Sequence, residues 1–150
     1  MPLTERATPR PVQILIVEDN PADARLVREV MRDSKILNEI SWVPDGVEAL
    51  AFLRKQGKYA TAPRPSLIFL DLNMPRKDGR DVLREVKADP VFRSIPVVVM
   101  TSSQAEEDIA RAYDQHANCY VRKPIDFAQF HDVVKTLESF WFATVELPTT

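Results

Sequence analysis

Five side chains that could bind a metal ion or move a charged group come shortly after apolar runs of the chain. In chain order they are Glu18, Asp19, Asp71, Thr101 and Lys123. Carboxylates held close together repel one another unless a cation joins them. Ligands that are all oxygen select a hard ion, so Mg²⁺ is the ion we expect. A carboxylate that faces such an ion and a lysine can act as a nucleophile, and aspartates form phosphoryl intermediates.

The apolar runs that precede these side chains have the length and composition of β-strands. Three of them are rich in β-branched residues: VQILIV at 12–17, SLIFL at 66–70 and PVVVM at 96–100. Weaker strand candidates are ISWV at 40–43 and NCYV at 118–121. Near-continuous apolar runs are typical of strands buried on both faces, as in a parallel sheet.

Helical patterns separate these strands, and each begins at a residue that can cap a helix. The predicted caps are Asn20, Asp45, Asp78, Ser103 and Asp126. Asn20 precedes a proline, which suits the first helical position. Asp45 and Ser103 are each followed three residues later by glutamate, as in a capping box. The last helix carries apolar residues at helical spacing, namely Phe130, Val133, Val134, Leu137, Phe140 and Trp141.

The alternation of strands and helices predicts a doubly wound α/β fold, a five-stranded parallel sheet covered by helices on both faces. In such sheets ligands bind at the carboxyl ends of the strands. We therefore expect the three carboxylates, Thr101 and Lys123 to meet at one edge. There the metal and Lys123 would neutralise the oxygens of a transferring phosphoryl group, and Thr101 could hydrogen-bond one of them.

Composition excludes several other classes of protein. The 150 residues, 45% of them hydrophobic, suit one folded domain. A net charge of −2 argues against nucleic-acid binding, and three glycines are too few for a Gly-rich phosphate loop. The single cysteine, Cys119, excludes an internal disulfide and a cysteine-built zinc site. We expect no membrane span and no signal peptide, and hence a cytoplasmic protein.

The sequence resembles the receiver domains of two-component response regulators. The matching segments are ILIVEDNPAD at 14–23, LDLNMPRKDG at 70–79, VVVMTSS at 97–103 and CYVRKP at 119–124. We expect the receiver domain to span residues 12–142, between a mobile tail at 1–11 and a C-terminal tail at 143–150. The resemblance implies a flavodoxin-like (βα)5 fold with strand order 2-1-3-4-5.

The resemblance also implies a role for each matching side chain. Asp71 is similar to the phosphoryl acceptor. Asp19 and Asp71 are similar to the Mg²⁺ ligands, with the backbone carbonyl of Asn73 as a third ligand and Glu18 acting through water. No enzyme activity is implied beyond Mg²⁺-dependent self-phosphorylation and self-dephosphorylation.

A second set of matching residues is implied to sense the phosphoryl group. Thr101 and Tyr120 are similar to the switch pair of the family, and Lys123 to its phosphate-binding lysine. The bond between Lys123 and Pro124 would be cis, as in the family.

A narrower resemblance concerns the partner. The segments GKYATAPRPS and SFWFATVELP are similar to the stand-alone regulators of bacterial phytochrome histidine kinases. We therefore expect such a kinase as phosphoryl donor, with an unknown downstream target. Apolar residues off the core stripe of the last helix and in the tail predict a homodimer through the fourth predicted helix, the fifth strand and the last helix. These residues are Phe127, Phe142, Val145 and Leu147.

Three alternatives remain open from the residues. A hydrolase of the haloacid dehalogenase type would also use Asp71 as nucleophile, but Asn73 lacks the carboxylate that such an enzyme places there. A degenerate receiver that only docks would not need the intact acidic set and Lys123. A flavin-binding module of similar fold would meet repulsion between its phosphate and the acidic pair Glu18 and Asp19.

Overall fold

The computed structural model describes residues 11–74, 76–102 and 119–144. Within them, five parallel strands form one sheet in the order β2-β1-β3-β4-β5, as the resemblance implies. The strands are β1 (Val12–Val17), β2 (Asn38–Val43), β3 (Leu67–Asp71), β4 (Val97–Thr101) and β5 (Cys119–Arg122). The doubly wound parallel fold is therefore confirmed.

Four helices lie within the described residues. They are α1 (Pro21–Arg32), α2 (Gly46–Leu53), α3 (Gly79–Ala88) and α4 (Phe127–Thr144). A 3-10 turn, Gly57–Tyr59, lies between α2 and β3. The helix predicted to begin at Ser103, residues 1–10 of the expected N-terminal tail and residues 145–150 lie outside the described residues. No helix in the described part of the chain is long and apolar enough to cross a membrane.

Side-chain caps begin the described helices where the sequence predicts them. The caps are Asn20, Asp45, Asp78 and Asp126, and each accepts a hydrogen bond from a backbone N–H of the first turn. Asp45 forms the first half of the predicted capping box, because its carboxylate accepts from Glu48 N at 2.9 Å. The Glu48 carboxylate accepts from the Tyr59 hydroxyl at 2.6 Å, which attaches the 3-10 turn to α2.

The core has two halves, one on each face of the sheet. Alternate residues of β1 point to opposite faces, so Leu15 packs with α2 and α3 while Ile16 packs with α1 and α4. Strands β3 and β4 are buried along their whole length. This double burial explains why their sequences are continuously apolar.

Gly79 allows α3 to approach the end of β3. A Cβ atom at this position would collide with the carbonyl oxygen of Asp71 and lie 2.6 Å from Leu72 Cα. Both are backbone atoms, which cannot move aside without shifting the strand. Glycine therefore sets the spacing between α3 and the loop that follows Asp71.

Candidate phosphoryl-acceptor and metal site

The predicted site residues meet at the carboxyl edge of the sheet. Carboxylate oxygens of Glu18, Asp19 and Asp71 all lie within 4.8 Å of one another. Asp71 ends β3 and Thr101 ends β4, while Lys123 directly follows β5. The parallel sheet brings these residues together because all its strands end at the same edge.

Lys123 is surrounded by carboxylates. Its Nζ lies 2.6 Å from Glu18 Oε1, 3.1 Å from Asp71 Oδ2 and 3.0 Å from Asp23 Oδ2. Sequence reasoning did not single out Asp23. The signal was available, because the cap at Asn20 places residue 23 in the first turn of α1, beside the acidic pair.

Burial governs the electrostatics of this cluster. Glu18 is fully buried, and its desolvation raises the pKa of its carboxyl to about 7, although its hydrogen bond to Lys123 acts in the opposite direction. Desolvation likewise raises the pKa of Asp71. Burial also disfavours the Lys123 ammonium, but Glu18 and Asp71 outweigh that penalty and raise the pKa of Lys123. The site thus holds one lysine and an excess of negative charge that a cation would offset.

Asn73 links the acceptor candidate to the hydroxyl on the next strand. Its backbone N–H donates to Asp71 Oδ1 at 3.0 Å, and its side-chain Nδ2 donates to Thr101 Oγ1 at 3.0 Å. The resemblance implies only a backbone role for Asn73, so it did not predict this side-chain bond. Thr101 is fully buried, whereas Tyr120 is half-buried and its hydroxyl accepts from Arg122 Nη2 at 3.3 Å.

Further contacts define the surroundings of the cluster. The Lys123–Pro124 peptide bond is cis. The indole Nε1 of Trp42, near the end of β2, donates to the backbone carbonyl of Glu18 at 2.6 Å. An open pocket of about 530 Å³ adjoins Asp71 and Lys123, which gives a small anion access to both.

Comparison with known proteins identifies the family of the chain. The family model of the response regulator receiver domain matches residues 14–135. Response regulator Rcp1 of Synechocystis sp. is 49% identical over 138 residues, covering 92% of this chain and 94% of that protein. These matches give no support to the haloacid dehalogenase alternative.

Solved structures lead to the same family. The phosphorylated cyanobacterial phytochrome response regulator RcpA is 49% identical, with a TM-score of 0.80 over 90% of this chain and 96% of the other. A Mn²⁺-bound form of Rcp1 is 48% identical, with a TM-score of 0.79 over 89% and 96%. The chain therefore belongs to the response regulator receiver family, and the resemblance to phytochrome-associated regulators expected from its sequence is confirmed.

Proposed function

We propose that Asp71 accepts a phosphoryl group from the phosphohistidine of a sensor histidine kinase. One observation carries the proposal: Lys123 Nζ lies 3.1 Å from Asp71 Oδ2, within a cluster of three carboxylates. An oxygen of Asp71 forms a bond to phosphorus while the phosphorus–nitrogen bond of the donor breaks, and the electron pair leaves with the imidazole nitrogen. The Lys123 ammonium offsets the charge on the phosphoryl oxygens during the transfer.

Mg²⁺ is the ion we propose for the acidic cluster. Asp19 and Asp71 would hold it through carboxylates and Asn73 through its backbone carbonyl, with Glu18 acting through water. The donor set fits a hard cation because every donor is oxygen and because the buried carboxyls of Glu18 and Asp71 have raised pKa values. When bound, such an ion neutralises phosphoryl oxygens. The Mn²⁺-bound form of Rcp1 supports a divalent-ion site.

Thr101 and Tyr120 are the residues we propose to report the phosphoryl group. The Thr101 hydroxyl now accepts a hydrogen bond from Asn73 Nδ2. A phosphoryl oxygen on Asp71 would attract that hydroxyl inward, and Tyr120 would move into the space it leaves. The phosphoryl group can shift this equilibrium only by as much as its contacts differ between the two states.

A phytochrome-type histidine kinase is the donor we propose, because RcpA, at 49% identity, is a phytochrome response regulator. The signal would leave by conformational change or by relay of the phosphoryl group, without catalysis beyond self-phosphorylation and self-dephosphorylation. A cytoplasmic location is part of this proposal. It is supported by the single cysteine, since proteins of oxidising compartments often carry paired cysteines.

A homodimer through the last helix also remains a proposal. Phe127, at the start of α4, is 43% exposed, which leaves an aromatic side chain available for a partner. The side chain of Phe142, together with Val145 and Leu147, lies outside the described part of the structure.

Acetyl phosphate provides the direct test of the acceptor. With Mg²⁺, the intact mass of the wild-type chain should increase by one phosphoryl group, and chelation of the metal should prevent the increase. Asp71→Asn should stay unlabelled. Asp81→Asn, at a partly exposed position of α3 where the carboxylate pairs with Arg84, is the matched control and should be labelled like wild type. Label on Asp71→Asn, with Asp71 unmodified in the wild-type chain, would assign the acceptor elsewhere.

A further inference from the structure

Three carboxylates already surround the Lys123 ammonium, and that of Asp71 accepts a hydrogen bond from it. A lysine ammonium carries three N–H groups. Three carboxylate oxygens, from Glu18, Asp23 and Asp71, lie within 3.1 Å of its nitrogen. A phosphoryl oxygen must therefore compete with these carboxylates for the ammonium.

The three partners differ in what release would cost. The side chain of Glu18 is 0% exposed and that of Asp71 is 3% exposed, whereas that of Asp23 is 24% exposed. Separating Lys123 from Glu18 would leave a buried charge without a partner, which is strongly unfavourable. Asp71 gives up its carboxylate charge when it accepts the phosphoryl group, so a phosphoryl oxygen takes over that contact and Glu18 and Asp23 remain as competitors. Water can solvate Asp23 when Lys123 leaves it, so this contact is the one that breaks at the lowest cost.

Helix α1 keeps the Asp23 carboxylate beside Lys123. Asn20 caps the helix, and its Oδ1 accepts from Asp23 N at 3.4 Å. A carboxylate in the first turn is also stabilised by the helix dipole. Asp23 borders the same open pocket as Asp71 and Lys123. None of the proposed acceptor, metal or switch roles uses Asp23.

We propose that Asp23 is a positioning residue that holds the Lys123 ammonium in the unphosphorylated protein and yields it to the phosphoryl group. This proposal rests on the proposed function of Asp71. Asp23 competes with the phosphoryl group for the Lys123 ammonium. Its carboxylate therefore weakens the binding of a phosphoryl group at Asp71, and removing it frees the ammonium from one competing charge.

Beryllium fluoride, a non-reacting stand-in for the phosphoryl group, tests the competition on the full chain. Wild type, Asp23→Ala and Asp23→Asn are titrated at saturating Mg²⁺, and binding is followed by ¹⁹F NMR. Asp126→Asn is the matched control. Asp126 follows β5 near Lys123 and caps α4 through a 2.8 Å bond from Ala128 N, and asparagine caps equally well. It removes one negative charge three residues along the chain from Lys123 without taking a partner from Lys123.

We expect Asp23→Ala to bind beryllium fluoride about fivefold more tightly than wild type, the size expected for a partly exposed ion pair. Asp23→Asn should show a smaller gain, and Asp126→Asn should match wild type. Damage to the fold would weaken binding, so a gain cannot come from a merely structural role. Unchanged or weaker binding in both Asp23 variants overturns the proposal, as does an equal gain in Asp126→Asn. If wild type neither binds the probe nor is labelled by acetyl phosphate, the proposed function of Asp71 itself fails.

Discussion

Replacing Glu18 with glutamine should stabilise the metal-free protein at neutral and alkaline pH. Glu18 is fully buried, and its pKa rises from 4.5 to about 7 in the folded chain. Its neutral form is therefore favoured by folding, and the folded state binds one more proton than the unfolded state between these two pH values. At about 1.4 kcal/mol per pKa unit, the wild-type chain should lose up to about 3 kcal/mol of stability as pH rises through this window.

Glutamine has nearly the same shape as glutamate but carries no charge to desolvate. The free energy of unfolding of Glu18→Gln should therefore not fall as pH rises through this window. The free energy of unfolding is measured by urea denaturation at pH 5 and pH 8, with a chelator present to remove metal ions. At pH 5 the variant and the wild type should differ little. At pH 8 the variant should be more stable by about 2–3 kcal/mol. Glu29→Gln, an exposed position on α1, is the control and should change stability little at either pH.

The attraction between Glu18 and Lys123 acts against the desolvation of Glu18. The two charged atoms lie 2.6 Å apart, and their attraction favours the ionised carboxylate. If Glu18→Gln proves less stable than wild type at pH 8, then the ion pair outweighs desolvation and the reasoning is refuted. If the proposed Mg²⁺ site exists, saturating Mg²⁺ should reverse the order at pH 8, because an ion bound only by the folded wild-type site would stabilise it.

Four further predictions concern other parts of the molecule. Gly79→Ala should lower the free energy of unfolding in urea by about 3 kcal/mol, because the added methyl meets backbone atoms of β3; a loss below about 1 kcal/mol would show that the strand end yields. Mg²⁺ should change the fluorescence of Trp42, whose indole donates to the Glu18 carbonyl, and Trp42→Phe should abolish the change; an unchanged Mg²⁺ response in Asp19→Ala would remove Asp19 from the metal site. Thr101→Ala should be phosphorylated without the conformational change, and an NMR spectrum equal to that of phosphorylated wild type would exclude Thr101 as the coupling residue. Sedimentation equilibrium should show a dimer of the full chain that weakens on truncation after Ser139, and a monomer at every concentration, with and without phosphoryl group, would exclude the interface.

Local sequence patterns were sufficient to predict the strands and helices in the described part of the chain. The apolar runs at 12–17, 66–70 and 96–100 fall on β1, β3 and β4, because strands buried on both faces must be apolar throughout. Asn20 and Asp78 begin helices where their side chains can accept from the first turn. These signals depend only on neighbours within a few residues, so they can be read from the chain itself.

The meeting of the site residues also follows from sequence, once the sheet is taken to be parallel. Strand ends of a parallel sheet share one edge, so Asp71 and Lys123 had to lie near each other although 52 residues separate them. This reasoning predicts which side chains lie near one another. It could not predict which oxygen each donor selects.

Only the tertiary structure decided those individual contacts. Asp23 pairs with Lys123, Asn73 Nδ2 donates to Thr101, and the indole of Trp42 donates to the backbone of the acidic loop. Each contact depends on strand register, helix position and side-chain rotamer together, at a tolerance of less than an ångström. Sequence periodicity places a residue on a face of its helix or strand, whereas the distance between two side chains is fixed by the packing of all the elements that carry them.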